Sequence, residues 1–271
     1  MTKQLCVIHA NCQGEPLLER LMVSPEFTAR YDCRLFTNYI REPIPGGVLE
    51  RCGLFLYQHL GKEWGELSSE FLLSRLPRSS LSLCIPNMFF LGYWPFWSGD
   101  PGFDYRDSVL EELIAGGLSG EEVLTLYMRS SLAAKHDLAA LLERTFRLER
   151  ERESHTPVKY VDIIERDFRK ERLFNTVNHP GPKLLNHAAA GILSRLDLEA
   201  PESVHAMPDA FPEFELPIHP QVAAFHGLHF VGSDTEYEVY GRKKTFAQYA
   251  ANYIEARLAG IEDFISYLQL R

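Results

Sequence analysis

The sequence predicts an α/β protein of three layers, a mostly parallel sheet flanked by helices, with a helical insertion and a C-terminal helix. Three observations carry this. Short apolar runs of strand length recur between residues 5 and 85, and segments with helical spacing fall between some of them. Strands that alternate with helices build parallel sheets with helices on both faces. The 271 residues suffice for one such domain with a full core, so residues 1–271 read as a single α/β domain.

The elements follow in order. Leu5, Cys6, Val7 and Ile8 form a buried strand. A turn, His9-Ala10-Asn11-Cys12-Gln13-Gly14, leads into helical spacing over residues 16–22, with Pro16 tolerated in a first helical turn. Residues 34–39, 54–58 and 81–85 read as further strands, the last closed by Pro86, and residues 66–76 as a helix. Strand signal then fades, and about 105–173 reads as a helical insertion or lid. Within it, Ser119 and Glu122 have capping-box spacing, residues 131–151 form one long helix, and Thr156-Pro157 start another. The mixed-sign charges of 144–153 predict a solvated helix face. Residues 244–270 place Phe246, Tyr249, Tyr253, Ile261, Phe264, Ile265 and Leu268 at roughly helical spacing, as one amphipathic helix docked on the core.

Composition removes several function classes. A formal charge of −9 argues against a nucleic-acid binder, although a local basic patch stays open. No apolar run approaches the roughly 18 residues of a membrane span, and the first residues lack the apolar stretch of a signal peptide. A cytoplasmic location is therefore expected. The five cysteines are irregularly spaced without a C-x-x-C, so neither a disulfide scaffold nor a structural zinc site is expected; Cys6, Cys33 and Cys84 lie in or beside strands and read as small hydrophobes. His219, His226 and His229 lie close together without a ligand motif, and no metal is expected. No P-loop or G-x-G-x-x-G occurs.

Ligands of parallel sheets bind beyond the carboxyl ends of the strands. The Cys12 turn, Gln58-His59 and Pro86-Asn87 all fall there. Cys12 lies between a strand and a helix, close to unpaired backbone N–H groups and the positive end of a helix dipole. That setting lowers a thiol pKa and supplies donors for an oxyanion; simple packing is the alternative. Gly14 permits a sharp turn or close ligand approach, and His9 and His59 are placed to line a pocket. His179 stands in Asn178-His179-Pro180 at a helix entrance, where a neutral imidazole acts as a base or caps the helix. His219, before Pro220, is the other candidate base.

A nucleophile after the first strand, an Asn after a later strand and a His-Pro before a late helix resemble the chain order of SGNH (GDSL-like) hydrolases. The resemblance puts Cys12 in the serine place, Asn87 in the oxyanion place and His179 in the base place. It departs at position 176, where Thr replaces the expected acid. A closer resemblance, through Asn11-Cys12-Gln13-Gly14, Pro86-Asn87, Gly92-Tyr93-Trp94-Pro95, Asn178-His179-Pro180 and Leu216-Pro217-Ile218-His219-Pro220, is to the WcbI family of capsular polysaccharide biosynthesis. It implies coenzyme A binding, with acetyl-CoA as donor, and acyl transfer to a hydroxyl of a sugar or polysaccharide precursor. An SGNH-like cysteine esterase or thioesterase, and a non-catalytic CoA-binding protein, are the alternatives. On this resemblance Arg242, Lys243, Lys244 and Lys183 are candidate phosphate ligands, with solvated surface charge as the other reading. Tyr93 and Trp94 are candidates to stack on sugar or pantetheine, with core packing as the other reading.

Overall fold

The computed structural model describes residues 2–232 and 234–271. The chain divides into two compact units. The first takes the chain up to Phe89, with Arg147–Arg166 and Asn178–Ala210; the second takes Phe90–Phe146, Asp167–Val177 and Phe211–Arg271.

The first unit is built on four parallel strands, β1 (Gln4–Ala10), β2 (Tyr31–Thr37), β3 (Cys52–Tyr57) and β4 (Leu81–Cys84), in the order β2-β1-β3-β4. Cys6, Val7, Ile8 and Ala10 are all buried. A strand covered on both faces needs no polar alternation, which is why this stretch reads as a continuous apolar run. The chain leaves β1 for β2 on one side and returns to β3 on the other. The reversal opens a crevice at the carboxyl ends of β1 and β3, where ligands of such sheets bind.

Helices α1 (Gly14–Met22), α2 (Pro25–Arg30), α3 (Gly46–Leu49) and α4 (Ser69–Ser74) lie between the strands. Ser24 and Ser68 cap α2 and α4 by accepting the N–H of Phe27 and Phe71. The helix expected over 66–76 is instead a 3₁₀ segment, Lys62–Leu67, followed by α4; Gly65, at φ 57° and ψ −121°, interrupts helical geometry there. Cys6, Cys52 and Cys84 are buried thiols, Cys33 is half-buried, and all are unpaired.

In the second unit α5 (Ser108–Ala115) is capped by Asp107, and α6 (Gly120–Arg129) carries the capping box of Ser119 and Glu122. The single helix expected over 131–151 is two. Helix α7 (Leu132–Lys135) stops at His136, whose backbone is extended, and α8 (Leu138–Ser154) starts afresh. Residues 138–146 of α8 are counted with the second unit and 147–154 with the first.

Two further expectations are corrected in the first unit. Thr156-Pro157 does not begin a helix: α9 (Val161–Asp167) starts later because Glu153 Oε1 accepts the N–H of Tyr160 and Val161 and fixes its entrance. The charged run 144–153 is not wholly a solvated face, since Glu149 and Glu153 are buried.

Strand β5 (Phe174–Thr176) belongs to the second unit, and β6 (His179–Pro180), α10 (Pro182–Arg195) and α11 (Glu202–His205) to the first. Helix α10 packs on α1 through Arg20, which is 1% exposed. Its Nε donates to Asn186 Oδ1 at 2.7 Å and its Nη2 to the Pro208 carbonyl at 2.7 Å. Asn186 Nδ2 donates in turn to the carbonyls of His205 and Met207, lacing residues 205–208 onto α10.

The second unit continues with α12 (Pro220–His226), the hairpin β7 (Glu236–Val239) and β8 (Arg242–Thr245), α13 (Phe246–Leu258) and α14 (Phe264–Leu270). The one helix expected over 244–270 is therefore the end of a strand and two helices, parted at Gly260, which sits at φ 71°. No helix among the described residues is long and apolar enough to cross a membrane.

Gly14 begins α1 where backbone and core nearly touch. A Cβ there would lie 2.8 Å from Leu35 Cδ1 and 2.9 Å from Ala10 Cβ. Gly14→Ala is expected to destabilise the protein by roughly 1–3 kcal/mol through overpacking. Urea denaturation checks this, and an unchanged midpoint would contradict it.

Candidate functional site

The crevice at the ends of β1 and β3 is organised by two buried carboxamides. Gln13 and Gln58 are both 0% exposed. Gln58 Oε1 accepts the backbone N–H of Asn11 at 2.8 Å, while its Nε2 donates to the Pro86 carbonyl at 3.0 Å and to Gln13 Oε1 at 3.4 Å. Gln13 Nε2 donates to the carbonyls of Met88, at 2.6 Å, and Asn178, at 3.0 Å; its Oε1 accepts the Met88 N–H at 3.1 Å. Three separated segments, 11–13, 86–88 and 178, are thereby held at one place.

Within that frame the Cys12 turn is fixed locally. Asn11 Oδ1 accepts the Gln13 N–H at 2.9 Å, and the Asn11 carbonyl accepts the Gly14 N–H at 2.9 Å. Asn11 Nδ2 donates to Asn87 Oδ1 at 3.1 Å. This orientation uses the Asn87 oxygen and leaves its amide hydrogens for a ligand, as an oxyanion donor requires. The half-buried Cys12 sulfur lies against Asn178, whose Nδ2 donates to it at 3.4 Å and whose carbonyl lies 3.9 Å away.

The electrostatics differ from expectation at Cys12. Burial pushes its thiol up to about 11, and the N–H groups of Cys12 and Gln13 only partly oppose this. Desolvation outweighs them, and the depressed thiol expected at a helix terminus is not realised. His179 follows Asn178 directly and is pushed down to about 4 by burial, against the charge of Asp209. At neutral pH the resting site therefore holds a thiol and a neutral imidazole. Thr176 is fully buried. Asp209 supplies negative charge to His179 from beyond the laced 205–208 segment, and it was not singled out from the sequence. No spacing rule links it to His179.

The remaining candidates divide between the units. His9 is buried in β1 and held down to about 4 by desolvation. His59 is exposed, its ring stacked on His155 at 3.6 Å. Lys183 is the second residue of α10, four positions after His179. Tyr93, Trp94, His219 and Arg242 to Lys244 all belong to the second unit. There Tyr93 Oη donates to the Phe168 carbonyl at 2.8 Å, and Trp94 Nε1 to the Pro217 carbonyl at 3.0 Å. Trp94 lines a cavity with about 40 Å³ of free space. His219 caps α12 through Nδ1, which accepts the Gln221 N–H at 3.1 Å, and its Nε2 lies 3.3 Å from the Tyr127 carbonyl. Lys243 pairs across the hairpin with Glu238, and Lys244 donates to Asn252 Oδ1. Among the described residues, no group of three or more His, Cys, Asp or Glu side chains is placed to hold a metal.

The Asn87 loop rests on a buried carboxyl. Glu149 is 0% exposed; its Oε2 accepts the Phe89 N–H at 3.0 Å and lies 3.2 Å from Tyr160 Oη, and its other oxygen pairs with Arg152. Burial pushes Glu149 up to about 7 despite Arg152. The folded form thus binds a proton more tightly than the unfolded chain, so this group's contribution falls as pH rises from about 4.5 to 7. Glu149→Gln is expected to remove that fall, gaining on the wild type by about 1–3 kcal/mol between those limits. Melting temperatures of both proteins across this range check it; parallel curves would contradict it.

Residues 5–201 match the family model described as polysaccharide biosynthesis enzyme WcbI. No curated protein matches the chain. One solved structure is similar over 100% of this chain and 96% of its own, with a TM-score of 0.78 at 18% identity. It is described as WcbI, a novel polysaccharide biosynthesis enzyme, in native form without a disulfide bond between CoA and one of its cysteines. At that identity the likeness establishes the shared fold. The family model covers well over half of the chain, and the chain therefore belongs to the WcbI family of polysaccharide biosynthesis enzymes.

Proposed function

We propose that the protein transfers an acyl group, acetyl being the simplest, from a CoA thioester to a sugar hydroxyl of a polysaccharide precursor in the cytoplasm. The observation that carries this is the joining of Cys12, Asn87 and Asn178-His179 through Gln13 and Gln58 at the strand-end crevice. Family membership and the mention of CoA for the similar structure support the choice of donor. The reading treats residues 1–271 as one α/β domain with 105–173 as its helical insertion.

In the first half-reaction the Cys12 sulfur attacks the thioester carbonyl. A new C–S bond forms, the bond to the CoA sulfur breaks, and the Cys12 proton passes through His179 to the departing CoA thiolate, which leaves as the thiol. Asn87 Nδ2 and the Cys12 backbone N–H stabilise the oxyanion. In the second half-reaction His179 takes the sugar hydroxyl proton as the oxygen attacks the acyl-cysteine, and Cys12 leaves as a thiol. Exchanging one thioester for another is nearly isoenergetic, so the Cys12 acyl intermediate keeps its transfer potential.

The high thiol pKa favours one second reading, in which the sugar hydroxyl attacks acyl-CoA directly while Cys12 only borders the thioester. Intact mass spectrometry after mixing with acetyl-CoA separates the two. The two-step route requires a gain of one acetyl group that Cys12→Ala abolishes. Turnover by Cys12→Ala without that adduct would establish direct transfer.

Asp209 enters this reading as the positioning residue of His179, replacing the acid absent at position 176. Its charge raises the proton affinity of His179. Asp209→Asn is expected to lower kcat by about tenfold or more and to move the acid limb of the kcat/KM profile to lower pH. An unchanged limb would remove Asp209 from the site.

A further inference from the structure

A cleft of about 300 Å³ opens beside Asn87, at the carboxyl ends of β3 and β4 in the first unit. Cys84 and Ile85 form its buried apolar floor and Leu148 one wall. Its rim is cationic in potential: His59 and His155 stack with ring centroids 3.6 Å apart and planes 11° apart, and Arg152 stands beside them. Arg152 is held in place by its pairing with Glu149 and by lying over the Phe89 ring at 5.0 Å. An acyl-transfer mechanism at Cys12 has no use for these three side chains.

We propose that this cleft is a binding site for a diphosphate diester, with the diphosphate on His59, His155 and Arg152 and the rest of the ligand running past Asn87 toward Cys12. The proposal rests on the acyl-transfer reading for its orientation. Two parallel imidazoles at this distance repel once both are protonated, and an anion bridging them removes that repulsion. The arginine fork adds directed N–H donors of the kind that phosphate oxygens accept. Against these cations stand Glu151, which lines the cleft, Glu63, whose charge acts on His59, and Glu149, which pairs with Arg152. Burial and His155 both lower the proton affinity of His59, and Glu63 opposes them. Binding of the diester should therefore be accompanied by proton uptake, and affinity should weaken as pH rises.

Two ligand sources share this chemistry, the CoA donor and a nucleoside-diphosphate sugar. Calorimetric titrations with dephospho-CoA, pantetheine and UDP-glucose, at about pH 6 and about pH 8, tell them apart. Neither diphosphate diester carries a phosphate that titrates in this range. Dephospho-CoA is expected to bind the wild type about tenfold more tightly at the lower pH; His59→Ala and His155→Ala should each bind it more weakly there and keep only part of that difference, and the double variant should lose the difference and bind about tenfold more weakly. Pantetheine should be indifferent to both pH and variant. The same pattern with UDP-glucose instead would support the cleft and assign its diphosphate to the sugar donor. Binding of dephospho-CoA that none of these variants weakens overturns the cleft while leaving the acyl-CoA reading intact. Failure of the wild type to bind either diester overturns the cleft, and failure to bind pantetheine as well overturns the acyl-CoA reading.

Discussion

The two buried carboxamides, Gln13 and Gln58, are the constraint on which the site depends. A buried amide without partners costs more than a hydrogen bond returns, so each must find its complement inside the protein. Here each does. Their oxygens accept the N–H groups of Asn11 and Met88, and their nitrogens donate to the carbonyls of Pro86, Met88 and Asn178. A glutamate at either position would have the acceptors but not the donors, and would face carbonyl oxygens with a negative charge. The amide chemistry joins the end of β1, the segment after β4 and the segment before α10. Cys12, Asn87 and His179 take their places from those segments.

Burial that makes this frame rigid also sets the charge states within it. Desolvation favours the neutral form of every group it reaches, raising Cys12 and Glu149 and lowering His9 and His179. Cys12 and His179 therefore both rest in the neutral form. A neutral thiol is also the less readily oxidised form. Glu149 applies the same logic to architecture. Its proton is shed near neutrality, so the loop bearing Asn87 rests on a carboxyl poised between states.

Much of this was legible in the sequence where the signal is local. Leu5 to Ile8 announced β1, and the turn after it announced a strand-end site. Ser119 with Glu122 gave the cap of α6. What escaped depends on contacts distant in sequence or on single residues that end an element. Nothing local shows that Gln13 meets Met88 and Asn178. The break at His136 and the partition of 244–270 near Gly260 lie inside stretches whose apolar spacing is helical on both sides. Glu149 and Glu153 look like members of a solvated charge run because they alternate with arginines. Only the entrance of α9 and the Asn87 loop, packed against them, make them buried acceptors.

Position 176, where the SGNH pattern has an acid, is Thr in this chain. Thr176 is fully buried, so a carboxylate there would need compensation from its neighbours. Asp209 comes later in the chain, only half-buried, and its charge acts on both His179 and Arg20. Arg20 in turn holds Pro208 through its carbonyl and Asn186 through its amide, so the segment carrying Asp209 is anchored to α1 and α10 at once. A charge held this way depends on tertiary packing and not on a fixed offset from the histidine.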